Sequence, residues 1–591
     1  MRIPLFAVLA LTWAGAAGRA AETAEPIEWR AWSPEAFAEA KREHKFVILD
    51  LEAVWCHWCH VQAGTTYRDP KVVELIRSRY IAVRVDQDAR PDIANRYEDY
   101  GWPATVIYAP DGAELVKRQG YVPPRPMAAL LQAAIDDPTP GPSVRAEAET
   151  EAASATTLGD ERRERLLAAW REGYDHEHGG WGSSHKYLDW DNVELALRRA
   201  TRGDCDAESY ARETLSAQLA LLDPVWGGVY QYSVGGNWRE PHFEKLVQMQ
   251  AENIRTYALA YEQFGDKRWL ATAEAIHRYV RTFLTSPEGT VYVSQDADLV
   301  PGEHSAEYFA RDDAGRRARG VPRIDRHVYA RENGWMMAAA CELAAASGDP
   351  AYRAEAERAA RWAIEHRALA GGGFSHDERD AAGPYLGDTL AMGRAFLALH
   401  QLTQQPEWLQ RASAAAEFIR GHFGRAAQAG FASSDTTAAT FPAPRPQFDE
   451  NVATARFAAA LAAATGRDEF GAMAQTALRW LLAGEQAEQR GFYQGGVLLA
   501  EEEARTAPAH IMIIGAKDDA TVRAMLTAAL RLPTAHKLVE QWDRRAGPPP
   551  RGEDIYPPLE KPAAFVCSNG TCSTPMFNGA ALEARLVKLL K

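Results

Sequence analysis

Cysteine is scarce, with six residues in a chain of 591. So few cysteines over such a length do not make a disulfide scaffold, and the fold must rest on buried apolar surface. Basic residues are also in deficit, since 66 Lys and Arg face 80 Asp and Glu, for a net charge of −14. That balance gives no support for nucleic acid or an anionic membrane as a partner. The length alone predicts two or more domains.

Long apolar runs are absent after residue 20. The first 20 residues, MRIPLFAVLALTWAGAAGRA, combine a basic Arg2, an apolar run and a small-residue end, which predicts a signal peptide over 1–20. An uncleaved anchor is the alternative, although the run is shorter than the ~20 residues that a membrane span needs. We therefore expect a periplasmic or secreted protein with no span after cleavage, in a compartment where cysteine pairs oxidise.

Residues 26–137 alternate predicted helices and strands. SPEAFAEAKREH predicts a helix capped by Ser33, and KFVILDLEAVW predicts a strand buried on both faces. The order of elements predicts an α/β domain with the size of a thioredoxin fold. Residues 138–158 are rich in Pro, Ala, Ser, Thr and Glu, which predicts a linker.

Residues 159–505 change to long helices rich in Ala, Leu, Arg and Glu. A glycine-aromatic stretch recurs six times between helix pairs: GGWGSS, GGVYQYS, GTVYVSQDAD, GGGFSHD, AGFASSD and RGFYQGG. Six stacked helix hairpins predict a closed, all-α (α/α)6 toroid, with an open helical array as the alternative. Residues 506–591 predict a small α/β appendage that ends in a Cys-x4-Cys loop.

The stretch CHWCH, from Cys56 to His60, has three readings. It matches the haem-attachment pattern, but it follows a buried strand and opens a helix, unlike a haem-wrapping segment. Zinc needs four ligands, which these neighbouring side chains cannot supply from one helical turn. A dithiol redox site fits the context, because the string GWPAT carries a candidate cis-proline, Pro103, which lies 44 residues after Cys59. We therefore expect no metal and no cofactor.

The redox reading has a physical basis. Cys56 falls at a helix N-terminus, which favours a thiolate, and a protonated His57 would add positive charge beside it. Cys59 is placed one turn later as the resolving thiol. Asp50 lies on the strand that enters the site and would take the proton of Cys59; the alternative for Asp50 is an ordinary pair with a neighbour. We expect His60 to be an ordinary surface histidine.

Several strings resemble one known family. WCHWCHVQ, YRDPKVVELI, VRVDQDARPDI and GWPATVIYAPDG are similar to the spermatogenesis-associated thioredoxin-like family. GNWREPHFEKLVQMQAEN, VSQDAD and FVCSNGTC continue the similarity along the chain. The resemblance implies a thioredoxin-like redox domain followed by a six-hairpin, glycosidase-like toroid, and implies no particular reaction.

A carbohydrate-cleaving toroid needs two carboxyl groups across a cleft. The family carries further aspartates at three places where this chain has Gly235-Gly236, Gln248-Met249-Gln250 and Gly387-Asp388-Thr389. The remaining candidates for a toroid site, including proton carriers for an epimerase-like reaction, are His242, Glu244, Asp296, Asp298, His376 and Asp388.

Cys567 and Cys572 form a second close pair. We interpret it either as a structural loop disulfide or as a second redox pair that exchanges with Cys56 and Cys59. The sequence as a whole favours thiol–disulfide exchange with a protein disulfide substrate or a reductase partner, and a toroid that binds a glycan or a protein. The alternative is a carbohydrate-active or carbohydrate-binding toroid with an accessory thioredoxin-like domain.

Overall fold

A computed structural model describes residues 26–97, 101–144, 155–380, 382–424, 429–437, 443–534, 536–550, 556–568 and 571–589. The predicted signal peptide lies outside these residues. Among the described helices, none combines the length and the apolar character that a membrane crossing requires.

The N-terminal domain is an α/β sandwich. Its five-stranded sheet has the order β1-β3-β2-β4-β5, in which β1, β3 and β2 are parallel and β4 and β5 are antiparallel to their neighbours. The strands are β1 (Trp29–Arg30), β2 (Phe46–Glu52), β3 (Tyr80–Asp86), β4 (Ala104–Tyr108) and β5 (Glu114–Gln119). The helices are α1 (Pro34–Glu43), α2 (His57–Gly64), α3 (Pro70–Arg79), α4 (Pro91–Ala94) and α5 (Pro124–Asp136).

Strand β2 lies at the centre of this sheet because its apolar residues serve both faces. Ile48 packs into the core cluster on one side, and Val47 and Leu49 pack into the cluster on the other. A strand covered on both sides needs such a continuous apolar run. The predicted linker differs from expectation at its start, where Gly141 and Ser143 hydrogen-bond to backbone atoms of β5.

The second domain is a closed toroid of twelve helices in two layers. The inner helices are α7 (Trp190–Ala200), α9 (Val247–Phe264), α13 (Ala330–Ser347), α15 (Leu386–Thr403), α17 (Phe448–Thr465) and α20 (Gly495–Arg505). The outer helices are α6 (Asp160–Glu172), α8 (Cys205–Gln218), α10 (Lys267–Phe283), α14 (Pro350–His366), α16 (Pro406–His422) and α18 (Asp468–Leu481). Each inner helix packs on the next, and α20 returns to α7. The ring confirms the predicted (α/α)6 toroid and excludes an open array.

The glycine-aromatic stretches are held by amide side chains of the inner helices. Asn333 in α13 accepts from the N–H of Val291 at 2.9 Å and donates to its carbonyl at 3.3 Å. Asn451 in α17 holds both backbone groups of Phe431 in the same way. These side chains lie in the first turns of their helices, so the loops gather at the end of the ring where the inner helices begin.

Short elements in these loops build the mouth of the toroid. They are β6 (Tyr232–Ser233), β7 (Pro241–His242), β8 (Lys245–Leu246), β9 (Ser294–Gln295), α11 (Ala306–Phe309), α12 (Asp313–Arg319), β10 (Ile324–Asp325) and α19 (Gln486–Gln489). Strands β8, β9 and β10 pair in one small sheet, and β6 pairs with β7 in another.

The C-terminal appendage is a four-stranded sheet with two helices. Its elements are β11 (Ala509–Ile514), α21 (Ala520–Leu530), β12 (Lys537–Trp542), β13 (Ala563–Ser568), β14 (Thr571–Cys572) and α22 (Gly579–Leu589). Gln404, at the C-terminal end of α15, donates to the carbonyl of Val539 at 3.0 Å. The appendage therefore covers the end of the ring opposite the mouth.

Candidate functional site

The structure joins Cys56 and Cys59 in a disulfide at the start of α2. Cys56 is the N-cap residue, and its sulfur accepts from the N–H of Cys59 at 3.1 Å. The peptide bond between Trp102 and Pro103 is cis, and Trp102 packs against the cluster that contains both cysteines. Both cysteines are almost completely covered, at 4% and 3% exposure. Neither cysteine therefore offers an open surface in this conformation.

Asp50 lies inside the domain on β2, at 2% exposure. Its carboxylate pairs with Arg84 at 2.9 Å and accepts from Tyr67 at 3.2 Å and Gln62 at 3.3 Å. Burial raises the pKa of Asp50, and Arg84 only partly offsets that effect. A raised pKa favours the protonated form of this carboxyl group.

Both histidines of the CHWCH motif contact the toroid. His57 Nδ1 lies 2.8 Å from Asp298 Oδ1, and the His57 N–H points at Glu244 Oε1 at 3.5 Å. His60 Nε2 lies 2.9 Å from Asp296 Oδ2. The prediction that His60 is an ordinary surface histidine is wrong, because the loop that follows β9 covers it. Burial disfavours the charged ring, but Asp296 outweighs it and raises the pKa of His60.

A second contact between the domains involves His376 and Asp388. His376 Nδ1 lies 2.9 Å from Asp388 Oδ1, and its Nε2 lies 2.7 Å from the carbonyl of Asp88 in the thioredoxin-like domain. His242 stacks on Tyr232 with ring centroids 4.3 Å apart.

The predicted toroid residues thus do not form one cleft. Glu244, Asp296 and Asp298 meet the CHWCH motif, while His376 and Asp388 hold another part of the same interface. None of the six nominated residues lines the central cavity of the toroid. The expectation that they face a sugar cleft is corrected: the thioredoxin-like domain occupies the space in front of them.

The central cavity has a volume of about 480 Å³ and lies between the toroid mouth and the thioredoxin-like domain. Asp88, Asn95 and Trp102 close it from the thioredoxin-like side. The toroid side combines aromatic and charged side chains: Tyr187, Trp190, Trp335, Asp189, Glu332 and Arg394. No histidine occurs among the described residues that line it. Burial raises the pKa of Asp189 to about 7.

A buried ion network lies beside this cavity. Glu194 pairs with Arg255 at 2.7 Å and with Arg456, which also pairs with Glu503 at 2.9 Å. These arginines outweigh burial and hold the pKa of Glu194 well below its usual range. Sequence reasoning missed these residues, each of which lies within an inner helix of the toroid.

Cys567 and Cys572 form a disulfide between paired positions of β13 and β14. This appendage and the thioredoxin-like domain lie at opposite ends of inner helices such as α15, which has 18 residues. Such a helix is about 27 Å long, so the two disulfides lie apart in this structure, and exchange between them stays a prediction that requires the domains to move. The two free cysteines of the described residues differ in exposure, since Cys341 is buried and Cys205 is exposed.

The fold and the site define a class: a thioredoxin-like domain followed by a six-hairpin toroid. Residues 19–134 match the family model Thioredox_DsbH, described as "Protein of unknown function, DUF255". The chain is similar to spermatogenesis-associated protein 20, which confirms the resemblance seen in the sequence. The mouse protein is 28% identical over 311 residues, 47% of this chain and 39% of that protein, and the human protein is 27% identical over the same length. The matched region thus spans about two fifths of these relatives.

Solved structures resemble the toroid. A sugar epimerase from a ruminal bacterium covers 57% of this chain and 96% of its own, with 13% identity and a TM-score of 0.45. A D-mannose isomerase covers 58% of this chain and 96% of its own, with 12% identity and a TM-score of 0.45.

Proposed function

We propose that the protein is an extracytoplasmic thiol–disulfide exchange protein that works through Cys56 and Cys59. The observation that carries this proposal is the Cys56–Cys59 disulfide at the start of α2, on a domain whose central strand buries Asp50. The helix N-terminus favours the thiolate form of Cys56.

The exchange proceeds in two steps. Reduced Cys56, as a thiolate, attacks one sulfur of a substrate disulfide; a mixed disulfide forms, and the other substrate sulfur leaves as a thiolate that takes a proton from water. Cys59 then loses its proton, for which Asp50 is the proposed acceptor, and attacks the Cys56 sulfur. The Cys56–Cys59 bond forms as the second substrate thiol leaves, so the substrate gains the two electrons that the dithiol loses.

The cycle needs a partner that restores the dithiol. We propose a dithiol reductase for that role and a protein disulfide as the substrate, in the periplasm or outside the cell. Trp58, the exposed residue of the motif, stacks on Tyr121 with ring centroids 5.6 Å apart and offers an apolar contact beside the covered cysteines.

Thiol labelling and disulfide reduction test this proposal together. Mild reduction of the purified protein should add two alkylation labels at Cys56 and Cys59, and the reduced protein should reduce insulin disulfides. Cys56→Ala should abolish the reduction, while the matched variant Cys205→Ala, which removes an exposed free thiol, should retain it. Reduction that survives Cys56→Ala would refute the proposal.

The central cavity supports a second candidate function, carbohydrate binding. Trp190 and Trp335 offer flat faces for sugar rings, and the raised pKa of Asp189, about 7, makes it a proton donor at neutral pH. Saturation-transfer NMR with neutral and acidic mono- and disaccharides tests this role. We expect binding that is lost in Trp335→Ala and kept in Cys56→Ala. No binding at millimolar sugar would contradict it.

A further inference from the structure

A cluster of metal-ligating side chains lies at the interface beside the disulfide. His60 comes from α2 of the thioredoxin-like domain, and Asp296 and Asp298 follow β9 of the toroid. One donor atom from each of these three residues lies within 4.8 Å of the others, and both aspartates are almost fully buried. The cluster is therefore assembled only when the two domains meet.

The two carboxylates are held in place by groups around them. The N–H of Asp298 donates to Asp296 Oδ1 at 2.9 Å, and the N–H of Gly302 donates to Asp298 Oδ2 at 2.7 Å. His57 Nδ1 contacts Asp298 Oδ1 at 2.8 Å. Metal sites depend on such outer contacts, which orient the ligating carboxylates before the ion binds.

A third carboxylate faces the same motif. Glu244 is 3% exposed, and its Oε2 has no hydrogen-bond partner within the described part of the chain. Burying an unpaired carboxylate oxygen is costly, so such a group calls for a cation or a donor. Across the described ranges, no Lys or Arg forms an ion pair with Glu244, Asp296 or Asp298; their charged contacts are histidines.

We propose that His60, Asp296 and Asp298 bind one first-row divalent cation, Zn²⁺ or Mn²⁺, with Glu244 as the nearby carboxylate that completes the charge balance. One imidazole nitrogen and carboxylate oxygens suit these ions, whereas Mg²⁺ and Ca²⁺ prefer oxygen ligands alone. Ligands at about 2.1 Å from a tetrahedral ion lie about 3.4 Å apart, which fits donor atoms within 4.8 Å of one another. The ion joins the toroid to the redox motif.

Calorimetric titration with ZnCl₂ tests the proposal, on protein kept oxidised so that Cys56 and Cys59 cannot act as thiolate ligands. We expect one equivalent of Zn²⁺ to bind. Asp296→Asn and His60→Gln should each weaken binding by more than about 100-fold, because even outer-shell changes cost 10–100-fold. The matched control is Glu355→Gln, which breaks another histidine–carboxylate pair, 2.9 Å from His277, and should leave binding unchanged.

Several outcomes would overturn the assignment. They are the absence of stoichiometric binding, an affinity equal in the wild type and both variants, or displacement of Zn²⁺ by a modest excess of Ca²⁺. X-ray absorption of the zinc-loaded wild type decides the question without any variant. Nitrogen and oxygen neighbours at about 2.0–2.1 Å support the site, whereas sulfur at about 2.3 Å places the ion elsewhere.

Discussion

We predict that the contact that His376 makes between the two domains depends on pH. Its Nδ1 faces Asp388 at 2.9 Å and its Nε2 faces the carbonyl of Asp88 at 2.7 Å. Both ring nitrogens meet acceptors, so both must carry protons and the ring must be positively charged. Burial opposes that charge, but Asp388 outweighs it and raises the pKa of His376 from 6.5 to about 9.

The size and sign of the effect follow from this pKa. Because the folded pKa lies above the unfolded one, the stabilisation is complete below pH 6.5 and is lost as the pH rises to about 9. The shift from 6.5 to about 9, at about 1.4 kcal/mol per unit, corresponds to about 3 kcal/mol. The loss of this stabilisation should appear first at the interface between the domains, where His376 contacts the thioredoxin-like domain.

Hydrogen exchange tests the predicted pH dependence of the interface. It is measured from pH 6 to 10 in the segment that contains Asp88 and is corrected for intrinsic rates. His376→Gln should have weaker protection at pH 6 and a flatter pH dependence than the wild type. Lys245 acts in the opposite direction, since burial lowers its pKa to about 8 despite Asp223 and its contribution to stability rises with pH. Lys245 is present in both proteins, so its contribution cancels when the protection of the variant is subtracted from that of the wild type. A difference that stays constant from pH 6 to 10 would refute the reasoning.

Three further predictions concern stability and the second disulfide. Arg456→Met leaves Glu194 and its neighbours with less positive charge and should destabilise the toroid by about 3–5 kcal/mol, measured by calorimetry. Gly228→Ala should lower the melting temperature, because φ is +77° and a Cβ would overlap the ring of Tyr279. Cys567→Ser should leave the exchange rate of Cys56 unchanged in a thiol-labelling assay, because the two disulfides lie at opposite ends of the toroid.

Two of these predictions, Arg456→Met and Gly228→Ala, have a matched control variant. Arg545→Met breaks an exposed pair with Asp543 and should cost much less than Arg456→Met. Gly466→Ala has a similar φ of +69° but open space around it, so it should cost less than Gly228→Ala. Equal costs within either pair, or a slower Cys56 after Cys567→Ser, would show that burial and position do not have the effects described.

The fold was predictable because its signals are local. The apolar run predicts the strand β2, which consists of those same residues. Each glycine-aromatic stretch likewise predicts the loop between helix pairs in which it lies. The amide side chains that hold the glycine-aromatic stretches were also visible in the sequence, since Asn333 and Asn451 each lie three residues after the first residue of an inner helix. That spacing could have been read as a repeat signal.

The contacts between the CHWCH motif and the toroid were not predictable, because the residues that meet there are far apart in the chain. His60 meets Asp296 across 236 residues, and His57 meets Glu244 across 187. No periodicity or motif spacing encodes such a pairing, which depends on how two domains dock. The sequence identified most of these residues but assigned the histidines and the carboxylates to separate sites.

The covered disulfide is compatible with thiol exchange because of what covers it. The contacts between the domains around CHWCH are mainly histidine–carboxylate pairs, with apolar packing from Leu246. Polar interfaces within a chain resemble transient protein–protein interfaces, and relative domain motion is the normal expectation for them. The thioredoxin-like domain also closes the central cavity through Trp102. Opening the interface would therefore expose the disulfide and the cavity together. A ligand that binds the closed cavity and a substrate that needs the exposed disulfide would favour opposite domain arrangements, so each would weaken binding of the other.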